Sequence, residues 1–191
     1  MRSHGGGPRE ESLDVQMRST APDRACPSPL RNGEIASFGV CVILAEPGLL
    51  FQRFAQDAGS LGAARANFQL LVTNLIKVKY PDATTVEGAG GRDWGIDTFA
   101  GQLAGGDVRI WQSKFFPVWN GSASQDQVRA SFKSAATNAK VKEYTISRWT
   151  LVVPCVLPPD QMKWFDGFGK RNERETGIAI DMWNGEELRH Q

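Results

Sequence analysis

Histidine is nearly absent from this chain. Of 191 residues only His4 and His190 are histidine, at the two extremes. Hydrolysis through a serine or cysteine with a histidine base, and zinc held by histidine, need that side chain inside the fold, so neither is supported. Cysteine is scarce and odd in number: Cys26, Cys41 and Cys155 lie far apart, with no C-x-x-C pair. They support neither a disulfide framework nor a zinc knuckle, and a reducing, cytoplasmic setting fits best. Long apolar runs are missing too. The longest, Ile35 to Ala45, is too short to cross a bilayer. Glu10, Glu11 and Asp14 spoil the basic start of a secretory signal, so no membrane segment is expected. Charge of one sign is not in excess: Lys+Arg 22 against Asp+Glu 21 leaves a formal net charge of +1. Any nucleic-acid footprint must therefore be local. What is there is an ordinary globular composition, 41% hydrophobic and 23% charged. Its catalytic vocabulary is carboxylate, lysine and an oxygen-seeking metal.

Residues 1–59 are glycine- and proline-rich at their start and read as a poorly ordered N-terminal extension, with Ile35 to Leu44 ambiguous between strand and helix. The folded domain is expected over 60–191. Phe68, Leu71, Val72, Leu75 and Ile76 follow helical spacing and predict an amphipathic helix over 61–79, stopped by Pro81. A strand is expected over Ala83 to Glu87, then a glycine-rich loop to Gly95 and a second strand from Ile96 to Ala100. Gly105-Gly106 turns the chain into a third strand, Val108 to Phe115. Ser124 to Lys142 predicts a helix burying Val128, Phe132, Ala135 and Ala139. Trp149 to Cys155 is continuously apolar and suits a central strand covered on both faces. A helix from Pro158 to Thr176, closed by Gly177, and a strand from Ile178 to Trp183 complete the order.

Chemistry concentrates in one stretch, Gly90-Gly91-Arg92-Asp93-Trp94-Gly95-Ile96-Asp97, followed a hairpin later by Trp111-Gln112-Ser113-Lys114. Side chains alternate along a strand, so Gln112 and Lys114 share a face. That face is apolar at Val108 and Ile110 and turns polar only at one end. Asp97 on the neighbouring strand brings a third polar group there. Asp97 alone could close a turn, and Lys114 alone could guard a sheet edge. Within a strand, however, a buried aspartate is costly unless paired.

This run, in the order α-β-β-β-α-β, resembles the catalytic core of the PD-(D/E)xK nucleases, and within them the Mrr-like group, where Gln-x-Lys often stands for Glu-x-Lys. The resemblance covers residues 61–155 by motif and reaches about 185 by element order. It implies an α/β restriction-endonuclease-like fold, a three-layer α/β/α core with a mixed central sheet. It implies a magnesium-dependent endonuclease, with manganese as the alternative ion, hydrolysing phosphodiester bonds in DNA, with RNA left open and prokaryotic defence as the setting. A homodimer, or a sensor or recognition partner carried on another chain, is compatible with it. The implied roles are catalysis for Asp97, Gln112 and Lys114, and metal ligation for Asp97, Gln112 and the Ser113 carbonyl.

The surroundings depart from the family pattern in places. Asp93 matches the earlier aspartate of the Gly-x-Asp-x-Gly-Ile-Asp run and would touch substrate, or equally form an Asx turn; Trp94 stands where glycine is common. Gln69 follows Phe68 where many relatives have glutamate. Two glutamines in place of carboxylates make the site weakly anionic, which favours the rival reading of a degenerate nuclease fold kept as a nucleic-acid-binding or assembly module. Arg129, Lys133 and Lys140 lie along one side of the helix after the third strand. Arg129 and Lys133 are expected to meet substrate phosphates, although charge on a helix is usually a solvated face.

Overall fold

In a computed structural model that describes residues 51, 53, 54, 56–86 and 94–191, the chain forms a five-stranded mixed sheet with helices on both faces. A helix labelled α1 spans Leu61–Lys79. It starts there because the Ser60 side chain, on extended backbone, accepts the Ala63 backbone N–H at 3.1 Å, satisfying one of the helix's orphan donors. Ala64, Phe68, Val72 and Ile76 recur every four residues and are buried, the stripe the sequence spacing predicts.

The strands are β1 (Thr84–Thr85), β2 (Thr98–Gly101), β3 (Asp107–Ser113), β4 (Thr145–Val152) and β5 (Ala179–Trp183), and they lie side by side in that order. The first three form an antiparallel meander; β3, β4 and β5 run parallel. The two parallel connections carry helices α2 (Gly121–Lys142) and α3 (Pro159–Thr176). Pro159 suits the first turn of α3, where its missing N–H costs nothing, and Gly177 closes the helix in the left-handed conformation.

Helix α1 covers one face of the sheet: Phe68, Val72 and Ile76 cluster with Trp111, Phe115 and Val152. Helices α2 and α3 cover the other: Val128, Phe132, Phe165 and Phe168 cluster with Ile110, Trp149 and Leu151. Each of these large side chains contributes about 1.5–3 kcal/mol by leaving water. Strand β4, interior to the sheet between β3 and β5, is therefore covered on both sides, as its apolar run demands.

The register between β3 and β4 shifts between Val108 and Arg109, where Ser147 is the extra residue and its hydroxyl bonds the Val108 carbonyl at 3.0 Å. Such a bulge breaks the two-residue alternation, and so Ile146 and Trp149 face the same cluster. The strand was expected from Trp149 and begins four residues earlier, because the bulge and the exposed Thr145, Ser147 and Arg148 hide the pattern.

The packed chain also reaches upstream of Ser60. Phe51 is helical and 4% exposed, and its ring meets Phe68 edge-on at 5.5 Å. The Ile35 to Leu44 segment, Cys26, Cys41, Glu87 and the glycine-rich loop through Asp93 lie outside the described residues. Among the described residues no helix is long and apolar enough to cross a membrane.

Candidate active site

Three strands point their C-terminal ends to one edge of the sheet, the edge at which parallel α/β sheets present ligand sites. Asp97, Gln112 and Lys114 lie at that end. Along β3 the odd-numbered residues turn their backbone groups to β2 and the even-numbered ones to β4, as Lys114 N–H to the Val152 carbonyl at 2.9 Å shows. The β2–β3 ladder is registered only as far as Thr98 opposite Trp111. The next N–H facing that way, at Ser113, is taken instead by the Asp97 carboxylate: Oδ2 accepts it at 2.7 Å. The same oxygen accepts Nε2 of Gln112 at 2.7 Å. Asp97 is 9% exposed and Gln112 2%. Charge-assisted bonds of this length are about twice as strong as neutral ones, and they account for a carboxylate this deep.

Asp97 was expected inside a strand. It occupies a bend immediately before β2, and its carbonyl still accepts the Val86 N–H at 2.9 Å, prolonging the β1–β2 pairing. Lys114 was expected within a strand reaching Phe115. It stands one residue past β3, where the Phe116 N–H folds back on its carbonyl at 2.8 Å and Pro117 cannot extend a ladder. Its own ladder bond keeps the alternation, so it follows Gln112 on the same face. The Lys114 ammonium is half-buried and has no hydrogen-bond or ion partner among the described residues.

Two acceptors in this cluster are left over. Gln112 Oε1 and Ser113 Oγ are buried with no partner among the described residues. A buried carbonyl without a partner costs about 1–3 kcal/mol. The Ser113 main-chain carbonyl faces the β2 edge with its N–H. The donor set at this end of β3 is thus one carboxylate and two carbonyl-type oxygens, the hard ligands that magnesium or manganese takes. Among the described residues it carries one full negative charge. Among the described residues no three His, Cys, Asp or Glu side chains come together.

Position is enforced from two sides. Gly95 adopts φ +75° and lies so close to α2 that a Cβ there would meet the Ser131 carbonyl oxygen at 2.8 Å and the Ala135 nitrogen at 2.9 Å. Both are backbone atoms of a packed helix and cannot yield. Gly95→Ala is therefore expected to lower stability by about 2–5 kcal/mol, from strain and overpacking together. Urea denaturation reads this directly; an unchanged midpoint would show the Asp97 turn to be free of α2. On the other face Thr73 of α1 and Thr98 share a buried hydroxyl bond of 2.9 Å, tying the helix to the residue after Asp97. Sequence reading missed this pair; the available signal was a threonine inside the apolar stripe of α1. Gln69 lies one turn before Thr73 on α1, half-buried.

The basic residues go elsewhere. Arg129 bonds Asp126 at 2.6 Å and lies over the Trp164 ring at 5.2 Å; it and Lys133 line a groove between α2 and α3. Gln125, near the start of α2, donates to Gln161 Oε1 at 2.9 Å, as does Trp119 Nε1. Trp111, Trp119 and Trp149 are buried core anchors. Burial pushes the Cys155 thiol up to about 11, which favours the neutral thiol at neutral pH. No family model, no curated protein and no solved structure matches the chain.

Proposed function

We propose that this chain is a metal-dependent endonuclease of the PD-(D/E)xK type, Mrr-like, hydrolysing phosphodiester bonds in DNA. The observation that carries the reading is the cluster at the end of β3: a buried Asp97 carboxylate, an orphaned Gln112 Oε1, the Ser113 carbonyl and the unpartnered Lys114 ammonium. The meander followed by a parallel strand, with helices on both faces, is the arrangement the resemblance implies and supports a restriction-endonuclease-like core. Its use in prokaryotic defence, in the cytoplasm, rests on the resemblance alone.

Asp97, Gln112 and Ser113 would hold the magnesium or manganese ion, which supplies charge neutralisation at the scissile phosphate. The Gln112 amide now presents nitrogen to Asp97; rotated by half a turn it presents oxygen to the same place. Asp97 holds the Ser113 N–H and so fixes the strand end from which Lys114 projects. Lys114 places a positive charge beside the reacting phosphate and orients the attacking water through its N–H donors.

One observation favours a second reading. Gln112 acts as a donor that holds Asp97, and among the described residues the site has one carboxylate where a pair would give two negative charges. A fold kept for nucleic-acid binding or assembly would look the same. Cleavage assays on plasmid, linear DNA and RNA with magnesium or manganese, beside a calorimetric magnesium titration, separate the two. Lys114→Ala is expected to slow cleavage at least about a hundredfold with no change in thermal stability, because its ammonium has no partner to lose. Wild-type cleavage by that variant, in a preparation free of contaminating nuclease, would reject the catalytic assignment.

A further inference from the structure

Away from the β3 end, helices α2 and α3 enclose a groove of about 380 Å³. Among the described residues, every charged one lining it is basic: Arg129, Lys133 and Lys140 from α2 and Arg171 from α3. Arg129 is held by Asp126 and Trp164. Lys133, Lys140 and Arg171 are exposed and have no hydrogen-bond or ion partner among the described residues. In a chain with near-zero net charge, such a one-signed lining is a local departure. A lysine in the last turn of a helix is favoured by the helix dipole, which could account for Lys140. It does not account for Lys133 or Arg171, which sit in helix interiors and add like charge across the same groove.

We infer that this groove binds the sugar-phosphate backbone of a single nucleic-acid strand, at a site separate from the candidate active site. The spacing decides against a single small anion. Arg129, Lys133 and Lys140 follow one face of α2 over eleven residues, about 16 Å at 1.5 Å per residue, which suits successive phosphates better than one. The width decides against a duplex seated in the groove, since packed helices stand about 8–10 Å apart. The floor decides against base readout. Phe132 and Phe168 meet edge-on at 5.7 Å and are 4% and 3% exposed, so no aromatic face is offered to a base. Contact is to phosphates and indifferent to sequence. The course of α2 carries the groove away from the C-terminal end of β3: Lys140 lies in the helix's last turn, while its first residue follows the strand exit. The site therefore holds a strand at a distance from the place of cleavage, and it stands whether or not the chain cleaves.

The test is binding of a fluorescein-labelled DNA single strand of about 12 nucleotides, within the usual footprint of such sites, to the full chain in EDTA, read by anisotropy across a series of salt concentrations. Each phosphate neutralised on a single strand contributes about 0.7 to the slope of log affinity against log salt. The combined variant Lys133→Ala, Lys140→Ala, Arg171→Ala should lose about 2 from that slope (three contacts) and bind at least tenfold more weakly at low salt. The charge-keeping set Lys133→Arg, Lys140→Arg, Arg171→Lys should retain both, which separates lost charge from lost folding. An alanine variant with wild-type slope and affinity would overturn the proposal. So would tighter binding of ATP or of a glutamate-rich peptide than of the strand, which would assign the groove to a small phosphate or an acidic protein segment. A chain that shows these slopes yet never cleaves DNA or RNA with magnesium or manganese upholds the groove and rejects the nuclease reading.

Discussion

Asp97→Ala is expected to reduce cleavage at least about a hundredfold, the scale on which removal of one electrostatic catalytic group is felt, and to reduce stability as well. The second effect comes from the hydrogen bonds. Asp97 Oδ2 is the acceptor for both the Ser113 N–H and the Gln112 amide, each at 2.7 Å. Without it a buried donor (Gln112 Nε2) and a part-buried one (Ser113 N–H) are stranded at the end of β3, at about 1–3 kcal/mol for the buried one and less for the other. The aspartate is thus a structural clamp and a candidate ligand at once, and alanine alone confounds the two. Asp97→Asn separates them. Its amide oxygen still accepts in place of Oδ2, so most of the stability should return, while the loss of charge keeps cleavage low. Thermal melts and single-turnover cleavage on the two variants check this. Equal stability of the alanine and asparagine variants would reject the clamp; wild-type cleavage by the asparagine variant would reject the site.

That double role was not legible in the sequence. The glycine-rich run, the aspartate and the Gln-x-Lys step are all local patterns, and they marked Asp97, Gln112 and Lys114 as residues at one strand end. The helices that flank them were legible for the same reason: the apolar stripe of α1 and the buried face of α2 each repeat within a few turns. What could not be read was whatever depends on neighbours distant in sequence. That the Ser113 N–H lacks a ladder partner follows from where β2 begins, and only the pairing of β2 with β3 reveals it. The early start of β4 is masked by a bulge at Ser147, whose reason lies in Val108 on another strand. Arg129 and Lys133 looked like partners of the strand that carries Gln112 because they follow it in the chain. The helix instead turns them toward α3, where Arg171 completes the groove.

Gln112→Glu turns on the same clamp. The glutamine amide donates to a buried carboxylate, so glutamate there puts a second carboxylate within hydrogen-bond distance of the first, at a position 2% exposed. Two like charges at that separation cannot both ionise cheaply, and the new carboxyl should take up a proton with a pKa well above that of an ordinary glutamate. The sign of the pH dependence follows. The folded variant binds a proton that the unfolded chain releases near pH 4.3, so stability is retained below that pH. It is lost progressively as the pH rises toward the raised pKa. At neutral pH without metal the variant should be less stable than wild type by several kcal/mol, on the order of one buried unpaired charge. Magnesium reverses this if the end of β3 is a metal site, because two carboxylates and the Ser113 carbonyl then face a divalent ion. Thermal melts from pH 4 to 8, with and without magnesium, give the answer. A large magnesium-dependent rise in the variant, with little in wild type, supports the site and identifies Gln112 as the residue that keeps its metal affinity low. A loss that acid repairs and magnesium does not would leave Asp97 and Gln112 as a purely structural pair, and the binding-module reading would stand in place of the nuclease.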